Sequence, residues 1–227
     1  MPAKTPVKLT EQNTGSGLKI SKLALQTFEV TVKGTSPLVV HAWSEKAKRQ
    51  MLENMQKTTQ TAKAKGKKER DARDPIADYN GARYRINDKT DGFPAVSFKS
   101  ACAIAARDIM DIKRGLIFQS FHIINGHPSR EAPGGSLLPL KYKDISMRED
   151  LVRVGMGASD LRYRPEYTDW STTLRIRYNA SMTSVEEILN LLSTAGFAVG
   201  IGEMRPGKTG FSNGMFEVDY SSVKVAK

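Results

Sequence analysis

Thr172-Thr173-Leu174-Arg175-Ile176-Arg177-Tyr178, followed closely by Thr183-Ser184-Val185-Glu186-Glu187-Ile188-Leu189-Asn190-Leu191-Leu192-Ser193-Thr194-Ala195-Gly196, is where the architecture of this chain becomes legible. Leu174, Ile176 and Tyr178 alternate with Thr173, Arg175 and Arg177, so a strand is expected with one buried and one basic face. Val185, Ile188, Leu191, Leu192 and Ala195 then recur at helical spacing. Thr183 with Glu186 three residues later predicts a capping box, and Gly196 predicts the helix end. From Gly196 to Val218 the chain is rich in glycine, with Arg205 and Lys208 among Gly200, Gly202 and Gly210. Such a loop suits a backbone cradle for phosphates, and equally a long hairpin whose glycines serve turn geometry.

Working outward, the 227 residues carry a net charge of +11, which favours a polyanionic partner. A single cysteine, Cys102, excludes a disulfide framework and a cysteine-rich zinc site. No apolar run approaches the length of a membrane span and no signal-peptide core stands out, so a soluble, cytoplasmic protein without membrane contact is expected.

Residues 1–22 read as a flexible polar tail and 23–227 as one domain with a basic segment, 45–91, inserted in it. Phe28, Val30 and Val32 alternate along a first strand, broken at Gly34-Thr35-Ser36-Pro37. Ser44 can cap a helix on which Met51 and Met55 stack. Residues 45–73 hold ten Lys/Arg against four acids, a balance of +6, with Lys63, Lys65, Lys67, Lys68 and Arg70 in one run. The run is a solvated loop or an electrostatic footprint for nucleic acid, or a loop that orders on a polyanion. Asp71, Asp74, Asp78, Asp88 and Asp91 crowd the exit, where carboxylates can bind Mg²⁺, solubilise a loop, or, at Asp74, cap or turn the chain before Pro75.

Phe98, Ala101, Ala105, Ile109 and Ile112 predict a helix opened near Ser97, and Leu116 to Ile124, apolar on both parities, predicts a central strand. Leu161-Arg162-Tyr163-Arg164 interleaves basic and aromatic side chains, as single-strand binding does, and as a surface strand pairing its rings also does. His41, beside Trp43, is a core or loop histidine or a general acid/base. His122 and His127 lack the ligand company of a metal site, and no metal or cofactor is expected.

Three of these segments together resemble the RAMP superfamily of CRISPR-associated proteins, especially the backbone subunits of crRNA-guided effector complexes. They are the first strand and turn, the element GFPAVSFKSACAIAAR at 92–107, and the terminal helix with its glycine-rich loop. Pro94, Ser97, Phe98 and Lys99 match the family's P-x-x-S-F/L-K element, and Gly200, Gly202, Gly210 and Gly214 match its loop in style. The resemblance implies an α+β, ferredoxin-like βαββαβ fold. It implies noncatalytic binding of a single-stranded guide RNA beside copies of itself and other subunits, with a DNA target as a further partner. The long insertion and the looser loop depart from the family. Relatives that cut RNA would place their catalytic group at Asp74 or His41. The other readings are a phage single-strand binding or recombination protein and an anti-CRISPR mimic of the backbone subunit.

Overall fold

A computed structural model describes residues 23–43, 48–49, 51–52, 55, 74–154 and 158–225; the tail 1–22 lies outside the described residues. The chain opens with strands β1 (Leu25–Gly34) and β2 (Leu38–Val39). Helix α1 (Pro75–Gly81), strands β3 (Arg85–Asn87) and β4 (Thr90–Pro94), and helix α2 (Ala95–Ile109) follow. Helix α3 (Arg114–Ser120) runs directly into β5 (Phe121–Ile123). Next come β6 (His127–Pro128), β7 (Ser136–Pro139), and the long hairpin of β8 (Asp144–Val154) and β9 (Ala158–Thr168). The chain then forms β10 (Ser171–Asn179), α4 (Val185–Ala198), the one-turn α5 (Pro206–Thr209) and β11 (Phe216–Val225).

The protein is mixed α+β. Its main sheet has the order β11-β1-β10-β5, with smaller sheets β2-β9-β8 and β3-β4-β7-β6, and every described strand pair is antiparallel. Alternation along β1 and β10 works as the sequence predicts: Phe28, Val30, Val32, Leu174, Ile176 and Tyr178 are buried, while Thr173, Arg175 and Arg177 are exposed. The buried face meets Phe98, Ala101, Cys102 and Ala105 of α2 and Ile188, Leu192 and Ala195 of α4 in one core. Edge-to-face ring contacts tie the layers together, with Phe98 and Phe216 at 5.5 Å and Phe28 and Tyr178 at 5.7 Å.

Several elements differ from expectation. The capping box of α4 is built one residue later, on Ser184 and Glu187, with the Ser184 N–H donating to Glu187 Oε2 at 2.8 Å. Gly196 does not end that helix. It sits inside, against β11, where a Cβ would lie 2.0 Å from the Phe216 carbonyl oxygen; close approach, and not a turn, requires glycine there. Helix α2 starts at Ala95 directly after β4 with no side-chain cap, so Ser97 lies within its first turn. The segment expected as one central strand is α3 plus a three-residue edge strand. Its apolar residues at both parities do not mark burial on two faces, since Leu116 and Phe118 are exposed. Among the described residues no helix is long and apolar enough to cross a membrane.

Candidate nucleic-acid interface

Three sequence-distant pieces meet beside β2. The Val40 N–H donates to the Pro165 carbonyl at 3.1 Å, the Glu203 N–H to the Val39 carbonyl at 2.8 Å, and the Ala42 N–H to the Ala82 carbonyl at 2.8 Å. The last bond joins the chain before the basic stretch 45–73 to the chain after it, so the two flanks of that stretch meet at one place. That place adjoins a cavity of about 120 Å³ lined by His41, Tyr84, Ser97, Glu203 and Arg205, among others. It thus brings together the histidine, the start of α2 and the glycine-rich loop. Trp43 stands exposed where the insertion departs.

The polar groups here constrain one another. Burial, reinforced by the Arg164 and Arg162 guanidiniums, pushes the His41 imidazole down to about 4, and its buried Nδ1 has no hydrogen-bond partner among the described residues. A neutral imidazole of such low basicity is a poor proton acceptor. Burial acts to raise the Glu203 carboxyl, but the Lys208 ammonium at 2.7 Å, together with Arg164 and His41, outweighs it and the net direction is down. Arg205 Nη1 donates to the Gly202 carbonyl at 2.6 Å. Both cations of the loop therefore hold the loop itself, while Lys208 remains partly exposed.

Gly200, Gly202 and Gly210 all have positive φ. Gly202 is at φ +78°, and a Cβ on it would stand 2.5 Å from the Val39 carbonyl oxygen. Positive φ favours glycine at all three positions, and packing on β2 adds to that demand at Gly202.

The Arg162-Tyr163-Arg164 stretch lies on β9 of the hairpin. Register places Arg148 opposite Arg164 and Asp150 opposite Arg162 on one face. Arg148 lies 2.8 Å from Asp150 and 2.9 Å from Glu166, Arg164 lies 3.4 Å from Asp150, and Arg162 lies 3.6 Å from Asp160. Arg164 is only 3% exposed, and burial lowers its pKa. The interleaved charges form a cross-strand ion ladder, with Arg164 inside it and not at the surface. Tyr163 is half-buried opposite Glu149.

The open face of the main sheet carries the remaining cations. Arg175 lies 3.6 Å from Glu29, and Lys33 lies 2.7 Å from Asp219. Arg177 stands between Thr27 of β1 and His122 of β5, and no hydrogen bond or ion pair of its side chain falls among the described residues. Lys99 reaches from α2 to the Phe118 carbonyl at 2.8 Å and to His122 Nδ1 at 3.2 Å. Asp74 is the N-cap of α1, its Oδ1 accepting from the Ile76 and Ala77 N–H groups at 2.9 and 3.1 Å. Asp91 is buried and paired with Arg83 at 2.6 Å. Asp74 and Asp91 thus hold local structure. Lys63, Lys65, Lys67, Lys68 and Arg70 lie outside the described residues.

Sequence reading missed Tyr84 and Glu203 at the cavity and His122 beside Lys99. Only the unpaired basic position of Arg177, alternating along β10, hinted at the last grouping. No protein-family model matches this chain, and no curated protein matches it either.

Proposed function

We propose that this protein binds single-stranded RNA without cutting it, as a repeating subunit of an oligomeric ribonucleoprotein related to the RAMP backbone subunits. The observation that carries the reading is where the chain enters and leaves its most basic stretch: the Ala42–Ala82 hydrogen bond joins residues on either side of 45–73, whose sequence charge is +6, beside the histidine, the start of α2 and the glycine-rich loop. A stretch of that charge whose two flanks meet at a polar cleft favours a phosphate backbone as the partner there.

A ferredoxin-like core is part of the same reading. Taking β1, β5, β10 and β11 as first to fourth strands, the sheet order is 4-1-3-2, with α2 after the first strand and α4 after the third. The smaller sheets and the hairpin are then additions to that core. The noncatalytic part is supported by the cap made by Asp74 and by the depressed basicity of His41. Incubating the protein with labelled single-stranded RNA, with and without EDTA, tests it. Retention of intact RNA is expected. Cleavage abolished by Asp74→Ala or His41→Ala in folded protein would replace this reading with a ribonuclease.

A further inference from the structure

A second cluster of cations lies away from the cleft, at the β5 edge of the main sheet. Lys99 Nζ is 3.2 Å from His122 Nδ1 and 5.9 Å and 5.7 Å from the ring centres of Phe118 and Phe121. His122 stands directly across from Arg177 on the open face, so their Cβ atoms are neighbours. Arg114 of α3 lies over the other part of the group, 5.7 Å from the Phe118 ring centre. Lys99 and Arg114 therefore flank the exposed Phe118 ring, with His122 beside Lys99 and Arg177 beside His122. The nearest acid on that face, Glu29, is diagonal to Arg177 and engaged by Arg175, and Asp108 on α2 pairs with Arg107.

The donors are also pointed outward. The Lys99 ammonium gives one proton to the Phe118 carbonyl and one to His122 Nδ1, which leaves a third. With Nδ1 accepting, His122 carries its own proton on Nε2, on the side away from Lys99. The Arg177 guanidinium is exposed beside it. Two cations on either side of a neutral imidazole are an arrangement that an anion complements.

We propose that Lys99, His122 and Arg177 form a phosphate site for single-stranded RNA, with Phe118 as the platform on which the adjoining base stacks. The inference rests on the RNA-binding reading and adds a contact at the sheet edge, apart from the cleft and the insertion. A phosphodiester here satisfies the free ammonium proton, the Nε2–H and the guanidinium fork together. Base stacking on an exposed ring is tolerant of sequence, as the partner class requires. Burial and the Lys99 charge hold His122 below its ordinary value in the free protein, so phosphate binding raises it; the proton taken up goes to Nδ1, and the Lys99 donor that bonded there turns to the phosphate. Lys99 and Arg177 are the charged groups beside it, with Arg175 and Glu29 two positions along the same face.

Titration of a labelled oligouridylate tests the site. Arg177→Gln is expected to weaken binding severalfold and to reduce the slope of log K on log[salt] by about 0.7. Phe118→Leu is expected to weaken it with an unchanged salt slope. Wild-type affinity should rise as pH falls from about 8 to about 6, and His122→Gln should abolish that rise. Unchanged affinity in Arg177→Gln and Phe118→Leu, with wild-type binding intact, would overturn this site and leave RNA binding elsewhere standing. If the wild type binds no RNA, the His122 imidazole resonance under added inorganic phosphate decides separately. A shift lost in Arg177→Gln keeps the anion site without the RNA reading, and no shift removes both.

Discussion

At Gly202 the backbone conformation and the packing make the same demand. A side chain there meets φ +78° and the Val39 carbonyl oxygen together. Gly202→Val should therefore lower stability by at least about 1–3 kcal/mol, read from chemical denaturation, with RNA affinity falling only as folding falls. His41 gives a pH-dependent counterpart. Its unfolded imidazole titrates near 6.5 and its folded one near 4, so between those values the unfolded chain binds more protons. The contribution is full above about pH 6.5 and is lost as pH falls toward 4, with a ceiling of about 3 kcal/mol that residual solvent contact reduces. Stability measured across that window should fall with acid in the wild type and flatten in His41→Gln. A slope identical in the two would remove His41 as its source. Neither residue's situation was legible in the sequence, because both depend on β2 lying between β9 and the glycine-rich loop.

Elements with one strong periodicity were legible, and those without were not. β10 and α4 follow from alternation and an apolar stripe, since their burial is one-sided. The segment 116–124 has apolar residues at every parity, and length alone does not separate a helix followed by an edge strand from a central strand. The capping box of α4 shifted by one residue because Thr183, Ser184, Glu186 and Glu187 offer two overlapping registers. Ser184→Ala should cost about 1 kcal/mol, and Thr183→Ala less. In the β8–β9 hairpin, register decided between surface recognition and an ion ladder, and register is not written in either strand alone. Asp150→Ala leaves the buried Arg164 without its carboxylate and should cost about 3 kcal/mol. A loss under about half a kcal/mol on thermal melting would mean that the ladder is ornamental.

For the whole molecule, charge was the most transferable reading and its placement the least. The net charge of +11 was plain from composition, but the described cations divide into those already paired within the fold, such as Arg164 and Lys208, and those left outward, such as Arg177. Over half of the net charge belongs to 45–73, whose flanking residues meet at the cleft. If the lysines of that stretch contact RNA, binding must be salt-dependent through them. The direct measurement is affinity for single-stranded RNA across a salt series, for the wild type and for a variant with Lys63, Lys65, Lys67, Lys68 and Arg70 changed to Ala. The account predicts intact RNA, a steep wild-type slope, and a slope smaller by about 0.7 for each phosphate that the variant no longer neutralises. No binding by the wild type at low salt, or the same slope in both proteins, would contradict it.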